Sequence, residues 1–220
     1  VPEENVISDP NLETVYELPL VFEDQNVGGL VSDKLNLPER TGDLEEWREK
    51  VGNLKKEPVS KIALCGKYTD MDDSYASIEE ALRHSAVELG GSVEIEQVDT
   101  EDFTPEVLEG FDGVIIPGGF GSRGVQGKID AIQHCRENDV PILGICYGMQ
   151  LMTVEFARNI LGLDAASEEF EEGHENLIVK EMQEQKDIEK MGGTMRLGAY
   201  SADVSGRVAE IYGSEQVVER

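Results

Sequence analysis

A single cysteine in a glycine-flanked turn is the residue of this sequence best suited to chemistry. Cys146 lies in the sequence Leu-Gly-Ile-Cys-Tyr-Gly-Met-Gln at 143–150, just after a short apolar run. A strand that turns sharply into a helix strains its turn residue, and flanking glycines remove the side chains that would collide there. The segment therefore predicts a nucleophile elbow, with a thiol exposed where helix N–H groups favour negative charge. The alternative is a buried structural cysteine on a strand.

A second strand followed by a turn, at 113–121, ends in the glycine-rich sequence Pro-Gly-Gly-Phe-Gly. Such turns present backbone N–H groups to anions. If the two segments are neighbouring parallel strands, the turn lies beside the elbow. The amides of Gly119 and Tyr147 then form an oxyanion hole for a tetrahedral intermediate at Cys146. Taken alone, the glycine run is also consistent with a plain tight turn or a phosphate cradle.

Alternating strands and helices from residue 61 onwards are expected to position these two turns. The predicted strands are 61–65, 93–98, 113–116 and 141–145, and the predicted helices are 74–89, 105–109, 124–138 and 147–161. This alternation implies parallel crossovers, so the predicted fold class is α/β, a layered and mostly parallel sheet flanked by helices. The elbow then lies at the carboxyl end of a strand, where open α/β sheets place their sites.

Residues 1–57 differ from the rest of the chain. Prolines recur along them, and two helices are predicted between the prolines, near 20–35 and 43–54, with Asp43 as the N-cap of the second. We therefore expect a helical linker segment at 1–57 and the sheet domain at 58–220.

Four blocks of sequence, taken together, are typical of one family. They are Pro-Gly-Gly-Phe-Gly-Ser-Arg-Gly at 117–124, the elbow at 143–150, Glu-Phe-Ala-Arg-Asn at 155–159 and Met-Gly-Gly-Thr-Met-Arg-Leu-Gly at 191–198. They resemble the glutamine amidotransferase domain of the CTP synthase family. The first two blocks are shared by many triad-type amidotransferases, and the last is much more specific. The opening residues 1–19 resemble the end of that family's synthetase domain, so the resemblance covers essentially the whole chain.

The resemblance implies a function for the cysteine. Cys146 would attack the glutamine amide to give a γ-glutamyl thioester and ammonia, and a separate synthetase domain would use the ammonia to convert UTP to CTP with ATP and magnesium. The residues that match glutamine-binding positions are Gly119, Tyr147, Gly148, Met149, Gln150 and Glu169, the last facing the α-ammonium group. Tyr147 stands where the family usually has leucine, but only its backbone amide is required.

Two further implications concern nucleotides and assembly. Pro10, Asn11 and Leu12 match a stretch that contacts the adenine of ATP, although the family often has aspartate at the position of Asn11. ATP and magnesium would otherwise bind in the absent synthetase domain, and no cofactor or metal is expected on this chain. A homo-oligomer is implied, a tetramer in the family.

A thiol triad also needs a base and an orienting carboxylate. The resemblance places the family's His and Glu beyond Arg220, so the chain is expected to be a truncated fragment that is inactive alone. His84 and His134 lie on predicted amphipathic helices and His174 in an acidic loop, and none of the three is expected to be the base. The remaining cysteines, Cys65 on a core strand and Cys135 on a helix, are expected to be structural.

Composition excludes several functions. The net charge is −27, from 46 acidic and 19 basic side chains, which argues against a nucleic-acid partner and favours a halophilic protein with a solvated acidic surface. No apolar run approaches the roughly 20 residues of a membrane span. Three distant cysteines fit a reducing cytoplasm.

The alternatives to the CTP synthase interpretation are another triad-type amidotransferase, a γ-glutamyl hydrolase, or a noncatalytic regulatory module of the same fold.

Overall fold

The computed structural model describes residues 2–38, 42–67, 74–180 and 198–219. It divides into two compact units, Val1–Ala165 and Ala166–Arg220. This division does not test the predicted linker segment at 1–57 and sheet domain at 58–220, which stay predictions.

A parallel sheet organises the first unit. Its strands are β1 (Pro58–Gly66), β2 (Ser92–Asp99), β3 (Gly113–Ile116) and β4 (Ile142–Gly144), in the order β2-β1-β3-β4. All three strand pairs are parallel, with Ile62 opposite Gly113 and Ile116 opposite Gly144. This arrangement confirms the predicted α/β fold class. It also makes β3 and β4 neighbours, as the sequence required for the two turns to meet.

Helices cross between these strands and bury apolar residues against the sheet. They are α4 (Ala76–Glu88), α5 (Val125–Glu137) and α6 (Tyr147–Asn159), with a 3-10 helix at Pro105–Leu108. All four residues of β3 are buried. One core cluster joins Leu64 on β1, Ile115 on β3 and Tyr75 just before α4.

Three helices precede the sheet: α1 (Leu18–Asp24), α2 (Val27–Leu35) and α3 (Glu45–Leu54). Helix α3 packs on α4, where Asn53 Nδ2 donates a hydrogen bond to the Val87 carbonyl oxygen at 3.1 Å. A helix was predicted across 20–35, but the structure breaks it at Asn26, which has a positive φ of 52°. Asp43 is one residue short of the N-cap, which is Leu44, although its Oδ1 still accepts from the Glu45 N–H at 3.0 Å.

The second unit contains short elements. Strands β5 (Ala166–Ser167) and β6 (Leu177–Val179) pair in parallel, and β7 (Tyr200–Asp203) pairs antiparallel with β8 (Gln216–Glu219) around α7 (Gly206–Tyr212). Across the described residues of both units, no helix combines the length and apolarity that crossing a membrane would need.

Candidate active site

The turn between β4 and α6 holds Cys146 in an unusual backbone conformation. Its φ is 54° and its ψ is −105°, and the helix begins at the next residue, Tyr147. A positive φ is uncommon for a residue with a side chain, and it is retained only where the surrounding structure imposes it. The residue is exposed. The local structure is therefore a strand, a strained turn and a helix, with a thiol presented to solvent at the turn.

Close packing on both sides explains the glycines that flank this turn. A Cβ added to Gly148 would lie 2.0 Å from the carbonyl oxygen of Ile116, at the end of β3. A Cβ added to Gly144 would lie 2.6 Å from the backbone nitrogen of Met149. Real Cβ atoms do not approach backbone atoms this closely, so each glycine is needed for the turn to form against the neighbouring strand.

The glycine-rich turn after β3 lies beside the elbow. The Ile145 N–H donates to the Ile116 carbonyl oxygen at 2.9 Å, which joins the two strand ends. A Cβ on Gly118 would be 3.5 Å from Cβ of Cys146, and one on Gly119 would be 3.9 Å from Cδ1 of Tyr147. Gly118 thus lies close to Cys146 and Gly119 close to Tyr147, as an oxyanion hole formed by the Gly119 and Tyr147 amides requires.

Side chains hold this glycine-rich turn in place. Tyr147 Oη donates to the Gly121 carbonyl oxygen at 2.7 Å. Lys67 Nζ donates to the Phe120 carbonyl oxygen, and Arg123 Nη2 donates to the Lys67 carbonyl oxygen at 2.7 Å. The sequence suggested only the backbone amide of Tyr147 as functional. Its ring and hydroxyl also support the turn, a role that the residue type alone does not announce.

A buried lysine lies behind the same turn. Lys128 on α5 is only 1% exposed, and its Nζ is 5.5 Å from the centroid of the Tyr147 ring. A Cβ on Gly119 would be 3.9 Å from that Nζ. Burial, together with the repulsion of the nearby Lys67, lowers the pKa of Lys128 from 10.5 to about 8. The sequence does not indicate that Lys128 is buried beside the site, because a lysine on an amphipathic helix normally reaches solvent.

The other predicted glutamine-binding residues fall into two groups. Gly148, Met149 and Gln150 form the first turn of α6, where Gly148 is buried, Met149 is 53% exposed and Gln150 is half-buried. Glu169 belongs to the second unit and lies in the turn after β5, where its N–H donates to Ser167 Oγ at 3.3 Å. Their roles towards glutamine stay predictions.

Two predicted segments remain, one near the start of the chain and one that lies mostly outside the described residues. Pro10, Asn11 and Leu12 form an irregular stretch between two 3-10 helices. Of the family-specific block at 191–198, only Gly198 is among the described residues.

Each of the three histidines lies within hydrogen-bond distance of a residue other than Cys146. His84 Nε2 lies 2.6 Å from Tyr16 Oη, and His134 Nδ1 lies 3.4 Å from Nδ2 of Asn138. His174, in the second unit, accepts from the Asn176 N–H at 3.1 Å. No hydrogen bond among the described residues joins His84 or His134 to Cys146.

The other two cysteines are buried in the core. Cys65 lies on β1 and Cys135 on α5, both with no exposed surface. Burial raises the pKa of Cys65 to about 12 and that of Cys135 to about 11, so both are neutral thiols near neutral pH. Cys146 is thus the one cysteine of the three that is accessible to a substrate.

The chain is similar in sequence to known proteins. The glutamine amidotransferase class-I family matches residues 70–220. CTP synthase of Thermococcus kodakarensis is 47% identical over 227 residues, which cover 100% of this chain and 43% of that protein. CTP synthase of Halalkalibacterium halodurans is 44% identical over 227 residues, which cover 99% of this chain and 42% of that protein. The chain therefore spans about two fifths of the length of these relatives.

A solved structure agrees with the sequence comparisons. The glutaminase domain of a Trypanosoma brucei CTP synthase, with acivicin bound, superimposes with a TM-score of 0.64 and 38% sequence identity. The superposition covers 74% of this chain and 66% of that one. The fold of this chain is thus similar to that of a glutaminase domain.

Proposed function

The chain belongs to the class-I glutamine amidotransferase family, and we propose that it is the glutamine-hydrolysing part of a CTP synthase. The observation that carries this proposal is the exposed Cys146 at a strained strand-to-helix turn, with its Cβ 3.5 Å from a Cβ built on Gly118. The relatives named CTP synthase support the more specific part of the proposal, the destination of the ammonia.

The chemistry begins with attack of Cys146 Sγ on the side-chain amide carbon of glutamine. The carbonyl oxygen becomes an oxyanion, and the N–H groups of Gly119 and Tyr147 stabilise it. Collapse of this intermediate breaks the C–N bond and releases ammonia, leaving a γ-glutamyl thioester on Cys146. Water then attacks the thioester, which frees glutamate and restores the thiol. A general base takes the Cys146 thiol proton during the attack and then donates a proton to the leaving nitrogen, and we place this group outside the described residues.

Substrate contacts follow from the same arrangement. Residues Gly148, Met149 and Gln150 at the start of α6 would line the glutamine site, and Glu169 would receive the α-ammonium group. Pro10, Asn11 and Leu12 would contact the adenine of ATP. UTP, ATP and magnesium would otherwise bind the synthetase part of the enzyme. The described residues include no group of three His, Cys, Asp or Glu side chains that could hold a metal, so we assign magnesium no ligand here.

The setting of the enzyme is also part of the proposal. We propose that the enzyme works in a cytoplasm of high salt concentration. The net charge of −27 supports this, because counterions at high salt screen the repulsion between carboxylates. We propose that the enzyme assembles as a homo-oligomer.

A cysteine variant of the full-length enzyme tests the proposed function. Cys146→Ala should abolish glutamine-dependent CTP formation, by at least about 10³-fold, because no nucleophile remains. Ammonia-dependent CTP formation should be unchanged, since it needs no thiol. A chloroketone analogue of glutamine should label wild-type Cys146, as located by peptide mapping.

Matched controls are available in the two buried cysteines. Cys65→Ala and Cys135→Ala should keep both activities, apart from losses of stability. Labelling that falls on Cys65 or Cys135, or a Cys146→Ala enzyme that still hydrolyses glutamine, would refute the assignment.

A further inference from the structure

The buried Lys128 is an expensive feature that the fold itself does not explain. Its Nζ has no hydrogen-bond partner among the described residues, although the side chain is 1% exposed. Burying an ammonium group without a partner costs free energy, and a methionine or leucine at this position of α5 would fill the space without that cost. A buried polar group without a hydrogen bond is therefore expected to have a function or to be stabilised by nearby charges.

Among the residues that the structure describes, the neighbours of Lys128 supply no negative charge. Cys65 on β1, Lys67 beyond β1 and Tyr147 on α6 are the titratable or charged side chains that the described residues place around it. Cys65 is a neutral thiol, because burial raises its pKa to about 12. Lys67 repels Lys128. No described carboxylate forms an ion pair with Lys128, so its charge is not used to hold two elements together.

The position of Lys128 relative to the site is specific. Its Nζ approaches the Gly119 backbone from the side occupied by the Tyr147 ring. Gly119 and Tyr147 are the two residues whose amides face the oxyanion in the proposed reaction. A buried cation whose Nζ lies 3.9 Å from a Cβ built on Gly119 acts on this turn over a short distance and is little screened by water.

We propose that Lys128 is a positioning residue for the glutaminase reaction, whose buried ammonium stabilises the oxyanion through the Gly119 turn and the Tyr147 ring. It does not touch glutamine. The negative charge exists only while the tetrahedral intermediate is present, so the lysine lowers the barrier and leaves substrate affinity nearly unchanged. This inference rests on the proposed function and extends it to a residue outside the elbow and its turn.

The test compares Lys128→Met with wild type in the full-length enzyme, using Lys61→Met as the matched control. Lys61 is a surface lysine on β1 that pairs with Glu94 and Glu96. For Lys128→Met we expect kcat for glutamine hydrolysis to fall about tenfold, less than the loss of a direct oxyanion donor, with KM for glutamine within about threefold. Ammonia-dependent CTP formation should be unchanged and Tm should not fall, since a buried charge has been removed.

A pH series supplies the readout that a purely structural lysine would not move. Because the pKa of Lys128 is about 8, the residue is charged at pH 7 and neutral well above pH 9. The ratio of wild-type kcat to Lys128→Met kcat should therefore be about ten near pH 7 and approach one above pH 9. Taking the ratio cancels other groups that titrate in both enzymes.

Each other outcome overturns the inference. An unchanged kcat, a rise in KM with unchanged kcat, or a ratio independent of pH would each do so. If Lys128→Met also loses the ammonia-dependent activity, Lys128→Gln is measured in the same way, and the same loss there shows that the lysine is structural. A wild-type enzyme without glutaminase activity, or an active Cys146→Ala enzyme, would instead refute the proposed function. Active wild type, inactive Cys146→Ala and unchanged Lys128→Met would refute only the role of Lys128.

Discussion

The strained backbone conformation of Cys146 depends on the two glycines that flank it. The residue accepts a positive φ of 54° because Gly144 and Gly148 let α6 start directly against β3 and β4. A residue in this conformation carries a cost of about 1–3 kcal/mol, which the surrounding packing must offset. The result is a thiol that is exposed at the turn. A thiol on a relaxed turn would have no such fixed relation to the amides of residues 117–121.

The hydroxyl of Tyr147 is expected to stiffen the oxyanion turn. Tyr147→Phe removes its hydrogen bond to the Gly121 carbonyl oxygen while keeping the ring beside Lys128. We expect kcat for glutamine hydrolysis to fall about 3- to 10-fold and the free energy of unfolding to fall by about 1 kcal/mol. Steady-state kinetics and urea unfolding measure the two quantities.

A matched control for this change is Tyr212→Phe, on the exposed helix α7. That hydroxyl donates to Glu219 Oε1 at 2.9 Å, far along the chain from the elbow. It should leave kcat unchanged. If Tyr147→Phe had full activity, the turn would be held without the hydroxyl.

Residue types predicted only part of this site. The pattern Gly-x-Cys-x-Gly specifies a steric requirement, and for that reason the turn could be anticipated. Lys128 could not, because its neighbours come from β1, the turn after β3 and α6, and their convergence is a property of the packed sheet. The support from the Tyr147 hydroxyl was hidden in the same way, since its partner Gly121 is 26 residues away.

Between α5 and α6, one ion pair fixes the helix that carries the elbow. Glu155 on α6 has a side chain only 2% exposed, and Arg136 on α5 is 28% exposed. The guanidinium donates from Nε to both carboxylate oxygens, at 3.0 and 3.2 Å, and from Nη2 at 2.8 Å. Asn159 adds a fourth bond to the carboxylate. Hydrogen bonding to Glu155 raises the pKa of Arg136. The carboxylate is therefore buried but well paired.

Breaking this pair should destabilise the protein strongly. Arg136→Met leaves Glu155 buried without its counter-charge, and we expect the free energy of unfolding to fall by about 3–5 kcal/mol. The double variant Arg136→Met/Glu155→Met should recover most of that loss, because no charge is then buried. Urea unfolding of wild type, Arg136→Met, Glu155→Met and the double variant gives the coupling energy between the two residues.

Helix α4 provides the surface comparison for that experiment. Arg83 bonds to Glu79 and Glu80 with a side chain 39% exposed, and Arg83→Met should cost no more than about 1 kcal/mol. If Arg136→Met were equally mild, the interior around Glu155 would have to admit water.

An element was predicted accurately where its own residues determine its structure, and less accurately where distant residues do. Strand β3 was predicted at 113–116 and lies at Gly113–Ile116, because a strand buried on both faces is a continuous apolar run. The break between α1 and α2 was not predicted. Gln25 there exchanges hydrogen bonds with the backbone of Ser8, 17 residues earlier, and such a distant partner leaves no periodic signal in the sequence.

At the scale of the whole molecule, the surface carries far more acid than base. Each of three lysines is shared by two carboxylates: Lys50 by Glu46 and Glu88, Lys55 by Glu13 and Glu17, and Lys61 by Glu94 and Glu96. The hydrogen bonds that these lysines donate to the carboxylates raise the pKa of all three lysines. Even where a cation is present, the local charge is therefore negative, and the balance of 46 acidic to 19 basic side chains leaves repulsion dominant.

Salt should consequently stabilise the fold. Screening weakens both the lysine pairs and the repulsion among carboxylates, but exposed pairs contribute little and the repulsion acts over the whole surface. The Debye length falls from about 10 Å at 0.1 M salt to about 3 Å at 1 M. We expect Tm to rise by roughly 5 °C or more between about 0.1 M and 2 M KCl, as measured by calorimetry.

A charge-reduced variant separates screening from other effects of concentrated salt. Glu23, Glu49 and Glu109 are exposed acidic residues on or near α1, α3 and the loop before β3. Replacing all three by lysine lowers the net negative charge without touching the sheet or the elbow. If repulsion is the cause, this variant should have a higher Tm than wild type at low salt and a smaller rise with KCl. An equal rise in both proteins would instead point to exclusion of salt from the surface, and a Tm that stays constant or falls would refute the halophilic interpretation.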